Sequence, residues 1–457
     1  MSQKFSSINP STGKTIATYE RTTPEAVDAA LRKAHVAQDA WRKVSYEDRA
    51  VVLRRVATVM REAKESLAQL ATLEMGKPIA QSREEIDKSV RTLEFYADNG
   101  ARFVEDELVE TDALKSYVSY QPVGVVLAIM PWNFPFWQVF RAAAPILAGG
   151  NTMVLKHASN VSGCALAIAD VFRKAETPDG LFQTLLLPSS EIAAIIADKR
   201  ISAVTLTGST EAGRAVASAC GQALKKHVLE LGGSDAYIVL EDADLDLTVE
   251  VCLRARLVNT GQSCVAAKRF VVVKPLLEEF TSRMKTGMEA ATFGDGMNES
   301  PRIGPLARTD LRDDLHAQVE RSIAAGAQLL CGGYVPQGPG AFYPPTVLGG
   351  VKPGMPAFDE ELFGPVAAVI EADDEVDALR LANAHAYGLG GAIFSRNRER
   401  AENLAAHELQ AGSCFVNEAV HSDPRLPFGG VKDSGYGREL GSFGMHEFTN
   451  AKTVFIK

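Results

Sequence analysis

An α/β fold built from two α/β units is predicted by three observations. The chain has 457 residues, too many for one ordinary hydrophobic core. From Asn151 to Glu230, short apolar runs rich in β-branched residues alternate with longer segments of helical periodicity. After Gly233 the same alternation begins again.

Before these units, the N-terminal segment reads as helical. Thr23 stands as N-cap to Pro24, and Val27, Ala30, Leu31 and Ala34 share one face of a helix predicted over 24–44. Ser45 caps a longer helix predicted over 46–76, and a third covers about 80–104. The texture changes over 115–131, where β-branched and aromatic residues broken by Pro122 and Gly124 predict a strand pair. Strands at 152–155, 184–187 and 203–206 then alternate with helices at 163–175, 190–198 and 211–224, the rhythm of a parallel sheet covered by helices. The second unit opens with a strand at 236–240, a helix at 245–257 and a strand at 269–273. Gly332 to Gly340 reads as a surface loop, and 449–456 as a closing strand.

Composition excludes several classes. A net charge of -9 disfavours nucleic acid or anionic membrane as partners, since either calls for a basic face. The six cysteines show no Cys-x-x-Cys pair and no spacing with histidine, so neither zinc nor a disulfide framework is expected. No metal site is predicted. Without a signal-like apolar run or an uncharged membrane span, the expected place is the reducing cytoplasm.

The chemistry gathers at Asn259-Thr-Gly-Gln-Ser-Cys264, where one cysteine ends a glycine-broken loop. Only the thiolate is a nucleophile, and a free thiol's pKa of about 8.5 leaves little of it near neutrality. Upstream, Glu230 sits between Leu229 and Leu231, where partial desolvation raises a carboxyl's pKa and suits it to general-base work. Asn133, in Pro131-Trp-Asn-Phe-Pro135, is an amide on a rigid turn that can donate to a developing oxyanion. The trio suggests covalent catalysis followed by hydrolysis.

These segments, with Thr207-Gly-Ser-Thr-Glu-Ala-Gly213, Leu229-Glu-Leu-Gly-Gly233 and Glu361-Leu-Phe-Gly-Pro365, resemble the NAD(P)-dependent aldehyde dehydrogenases over nearly the whole chain. The resemblance implies a Rossmann-like cofactor-binding domain over 1–108 and 125–231 and a catalytic domain over 232–433. An oligomerisation element over 109–124 and 434–457 completes it. Cys264 would attack the aldehyde, Asn133 and the Cys264 N–H would hold the oxyanion, and Glu230 would activate water against the thioester. Trp132, Lys156, Gly208, Ser209, Leu231, Glu361 and Phe363 fall on the family's cofactor positions. The loop Gly208-Ser-Thr-Glu-Ala-Gly213 departs from the Gly-x-Gly-x-x-Gly spacing, although it follows a strand and opens a helix as pyrophosphate binding requires. Where many NAD-preferring relatives carry a glutamate three residues after the lysine, this chain has Ser159, which favours NADP, with NAD as a second cofactor.

Within the family, Pro131-Trp-Asn-Phe-Pro-Phe-Trp-Gln138, Leu155-Lys-His-Ala158 and Leu231-Gly-Gly-Ser-Asp235 are most similar to bacterial succinate-semialdehyde dehydrogenases. Arg141, eight residues after Asn133, would then pair with the carboxylate of a short semialdehyde. Some relatives place a second arginine where this chain has Val258, so Arg256 and Arg425 are further candidates. Ala266 stands where some relatives carry a second cysteine, so no local disulfide switch is expected. The alternatives are oxidation of other aliphatic or aromatic aldehydes, and a catalytically silent scaffold. An apolar closing strand implies an edge covered by a neighbour, hence a homodimer or homotetramer.

Overall fold

The computed structural model describes residues 4–457. Its first helix, Pro24–Trp41, begins as expected: the Thr23 hydroxyl accepts from the Ala26 N–H, and Leu31, Ala34 and Trp41 face the core. Ser45 likewise caps Tyr46–Glu62. The single long helix expected over 46–76 is instead two, interrupted at Ala63, with Lys64–Met75 ending at Gly76 in the left-handed conformation. Every residue around Ala63 is a good helix former, so the break comes from packing: Leu67, Ala68, Ala71 and Met75 turn into the core beside the long helix Ile79–Asn99.

The strand pair expected over 115–131 is also corrected. Both strands form, as Lys115–Pro122 and Val125–Met130, but they belong to different sheets. Gly124, at φ +134°, turns the chain there, and a side chain at that position would collide with Ser202. Lys115–Pro122 pairs antiparallel with Thr449–Ile456 along all eight residues, and Glu107–Leu108 completes a small three-stranded sheet. Val125–Met130, buried throughout, becomes a central strand of a six-stranded sheet.

In that sheet the order is Gly435–Tyr436, Lys226–Glu230, Ile201–Thr207, Val125–Met130, Thr152–His157, Phe182–Leu185. All neighbours are parallel except Gly435–Tyr436, which runs antiparallel to Lys226–Glu230. The C-terminal segment therefore contributes to this sheet as well as to the small one. From Val125–Met130 the chain first winds outward through Thr152–His157 to Phe182–Leu185. It then returns to the other side through Ile201–Thr207 and Lys226–Glu230. The winding reverses between Val125–Met130 and Ile201–Thr207, and the crevice beyond the carboxyl ends of two such strands is where open α/β sheets bind ligands.

A second, seven-stranded sheet is centred on Ala236–Val239, Arg269–Val273 and Val366–Ala372, with Gln328–Cys331 as its antiparallel edge. Helices Leu245–Leu257 and Lys274–Ala290 pack on one face over Tyr237 and Phe270, with Phe280 of the second helix turned into the same cluster. The other face is covered by a cluster that includes Leu315, Phe358 and Leu381. The loop that carries Cys264 leaves the end of Leu245–Leu257 and faces the carboxyl ends of the first sheet.

Candidate active site

The turn after Leu257 carries three successive residues with positive φ: Asn259 at 53°, Thr260 at 58° and Gly261 at 76°. For non-glycine residues this conformation costs roughly 1–2 kcal/mol each, and a β-branched threonine adopts it rarely. Hydrogen bonds hold it. The Asn259 amide donates to the carbonyls of Asn133 at 2.7 Å and Gln262 at 2.9 Å, while its own backbone N–H donates to Gln81 Oε1 at 2.7 Å. The Thr260 hydroxyl donates to the Gly304 carbonyl and accepts from the Gly304 N–H at 3.0 Å. Gly261 admits no side chain, because a Cβ would lie 2.3 Å from the Gly364 carbonyl oxygen. Lys268 Nζ then donates to the carbonyls of Ser263 at 2.9 Å and Cys264 at 2.7 Å. The result is a loop whose backbone at Cys264 is tied from both sides.

Asn133 is tied to the same loop. Its Nδ2 donates to the Gln262 carbonyl at 3.1 Å, which leaves its second amide hydrogen for another acceptor. Its neighbours are set from below: the Glu85 carboxylate accepts from the N–H groups of Phe136 at 2.7 Å and Trp137 at 2.9 Å, opening helix Trp137–Ala148, and is itself paired with buried Lys77. His157 Nε2 lies 2.8 Å from the Pro135 carbonyl, and burial pushes the ring pKa down to about 4, so it stays neutral.

Two cavities meet at Cys264. One, of about 270 Å³, is lined by Trp132, Asn133, Gly208, Ser209, Leu231, Glu361 and Phe363, at the reversal point of the first sheet. Trp132 and Phe363 meet edge to face at 5.8 Å across it. Glu361 is fixed by the Gly233 N–H at 3.1 Å and by Lys268 at 3.1 Å, whereas its neighbour Glu360 pairs outward with Arg321. The other cavity, of about 500 Å³, runs from Cys264 past Phe134, Arg141, Lys88, Ser422 and Phe428. Burial raises the Cys264 thiol to about 11, against the opposing pull of Arg141 and Lys268.

Glu230 ends its strand 2% exposed, with neither carboxyl oxygen hydrogen-bonded, and it lines neither cavity. Burial first, then the neighbouring Glu439, pushes its pKa well above the usual carboxylate range. Glu439 is ion-paired with Arg141, whose Nη2 also donates to Thr207 Oγ1 at 3.1 Å. Lys156 is half-buried at the end of its strand, and burial lowers its pKa. Ser159 is exposed and lines a separate cleft with Asn160 and Arg308.

Two of the expected substrate arginines are elsewhere. Arg256 is fully buried beneath the nucleophile loop and donates to the Gly261 carbonyl at 2.7 Å. Its helix points it inward, so it supports the loop and does not face the cavity. Arg425 is exposed and forks onto Asp423, two residues away. Conversely, Gln81, Glu84, Glu85, Lys88 and Arg91 form a polar stripe on Ile79–Asn99 that lines the larger cavity. Their three- and four-residue spacing was the signal, and a helix far from every motif hid it.

The chain matches the aldehyde dehydrogenase family over residues 1–454. It is 48% identical over 452 residues to a probable NADP-dependent succinate-semialdehyde dehydrogenase of Synechocystis sp., covering 99% of each. It is 46% identical over 449 residues to the NAD(P)-dependent succinate semialdehyde dehydrogenase Sad of Escherichia coli, covering 98% of this chain and 97% of that one. Its structure superposes with a TM-score of 0.97, at 36% identity and 99% coverage of both chains, on succinic semialdehyde dehydrogenase from Streptococcus pyogenes in complex with NADP+. With the paired α/β sheets and a cysteine between two cavities already in view, these matches show that the chain belongs to the aldehyde dehydrogenase family.

Proposed function

We propose that this protein oxidises succinate semialdehyde to succinate with NADP, and with NAD as a second cofactor, through a thioester on Cys264. One observation carries the reading: a single thiol stands in the wall of two cavities, one suited to a dinucleotide and the other to a short aldehyde with a polar end. The relatives in Synechocystis sp., Escherichia coli and Streptococcus pyogenes bear names that agree with it.

The residues present fit the dinucleotide. A Cβ at Gly208 would meet nothing nearer than Leu206 at 3.6 Å, so the wall there is open backbone. Ser209 caps helix Thr210–Gln222, whose free N–H groups favour phosphate. Gly208 and Ser209 would take the pyrophosphate, Lys156 and Ser159 the adenine ribose with its 2′-phosphate, Glu361 the nicotinamide ribose, and Trp132, Leu231 and Phe363 the ring. Bound NADP supplies the hydride acceptor.

Once its proton has passed to solvent, the Cys264 thiolate bonds to the aldehyde carbon as the C=O π bond opens, and the free Asn133 amide hydrogen meets the oxygen as it becomes negative. Loss of hydride from that carbon leaves an acyl thioester on Cys264. Glu230 then takes a proton from the water that releases succinate. Because its oxygens are unpartnered, Glu230 has no hydrogen bond to break in rotating towards the thioester.

We assign residues 1–108 and 125–231 to the cofactor-binding domain, 232–433 to the catalytic domain, and 109–124 and 434–457 to oligomerisation. Thr449–Ile456 is an open sheet edge with Phe455 53% and Ile456 42% exposed, which supports pairing into a homodimer or homotetramer. Among the described residues no helix is long and apolar enough to cross a membrane. Six free cysteines suit a reducing cytoplasm.

Steady-state rates with succinate semialdehyde, glutarate semialdehyde and hexanal test the substrate. We expect kcat/KM for succinate semialdehyde to exceed that for hexanal by about 100-fold or more. Equal values would overturn the assignment.

A further inference from the structure

The cation expected to read the substrate carboxylate already has a partner. Arg141 is ion-paired with Glu439, bonded to Thr207 and stacked 4.9 Å from the centre of the Phe428 ring. A second cation enters the same cavity from a different element. Lys88 extends from helix Ile79–Asn99, its Nζ 4.2 Å from the Trp137 ring centre and donating to Ser422 Oγ at 2.7 Å. An ammonium has three donors, so two are left. Among the described residues no carboxylate is ion-paired with it.

We propose that Lys88, with Ser422 beside it, is the specificity-determining partner of the carboxylate at the far end of the substrate. This rests on the succinate-semialdehyde reading and deepens it.

The charges around Lys88 leave that place open. Arg91 on its own helix and Arg141 on Trp137–Ala148 are both positive and disfavour its charge. Of the nearby acids, Asp423 favours the Lys88 charge but is forked by Arg425, Glu85 is held by Lys77 and two backbone N–H groups, and Glu84 lines the cavity from an exposed position without an ion pair to Lys88. His421 and the Cys264 thiol complete the titratable surroundings. Burial, with Arg141 and Arg91 next, pushes the Lys88 pKa down to about 8. An incoming carboxylate supplies the missing counter-ion in a site largely removed from water, where charge-assisted hydrogen bonds are strongest.

The test compares succinate semialdehyde with butanal, an uncharged aldehyde of equal carbon number, so that effects on the shared chemistry cancel in the ratio of kcat/KM values. In Lys88→Met we expect that ratio to fall by at least about tenfold, mainly through KM, with partial recovery in Lys88→Arg. An unmoved ratio would overturn the proposal. Wild-type enzyme gives a second readout that needs no variant. The ratio should hold below pH 8 and fall as the ammonium loses its proton above it, and a flat ratio from pH 7 to pH 10 would also overturn the proposal. Wild-type enzyme showing no preference for the semialdehyde at any pH would refute the substrate assignment itself, and this inference with it.

Discussion

Between Asn259 and Cys264, a backbone run of unfavourable conformation is tied down by bonds from Asn259, Thr260, Arg256 and Lys268, whereas the Glu230 carboxyl is buried with no hydrogen bond at all. In the mechanism we propose, with Cys264 as nucleophile and Glu230 as base, the nucleophile must meet a carbonyl carbon in one geometry, and rigid placement lowers the cost of that encounter. The base has the opposite need. A carboxylate held by several donors is a weak base with a low pKa, while one buried without donors keeps a raised pKa and can move. One region of the site is built for position, and the other for proton affinity.

Removing each property should therefore fail in its own way. Cys264→Ala removes the covalent step, and we expect aldehyde oxidation to fall by about 10⁴-fold or more in a steady-state assay. Glu230→Gln should leave a single burst of reduced cofactor intact while slowing turnover by about 10²-fold to 10⁴-fold, because only thioester hydrolysis needs the base. If the burst disappears as well, the division between the two regions is wrong. The pH profile with butanal sharpens the contrast. Cys264 acts as the thiolate and burial raises its pKa to about 11, so kcat/KM, which this first step governs, should climb with pH by about tenfold per unit from pH 7 to pH 9. The smallest effect is expected from Asn259→Ala, which unties the loop without touching the thiol. It should cost about 2–3 kcal/mol in thermal unfolding and slow the burst by far less than Cys264→Ala does.

The sequence showed some of this clearly and some not at all. Thr23-Pro24 and Ser45 marked helix starts because a cap is a local event, decided within four residues. The break at Ala63 was invisible, since nothing local opposes a helix there. Both strands around Pro122 and Gly124 were legible, but their separation into two sheets depends on Thr449–Ile456, more than three hundred residues away. At the site, motif register singled out Cys264 and Asn133, which line one cavity, and Glu230, which lines neither. It misplaced Arg256 and Arg425 as substrate residues and passed over Lys88, Glu85 and Glu439.

What the chain decided by itself was its chemistry: a cysteine after a glycine-broken turn, a glutamate among leucines, and an amide between prolines carry their character with them. Only the folded structure decided which charges remain free to meet a ligand. Pairing depends on which side chains approach within a few ångströms, and here the partners come from segments far apart in sequence: Arg141 with Glu439, and Lys88 with the Ser422 hydroxyl.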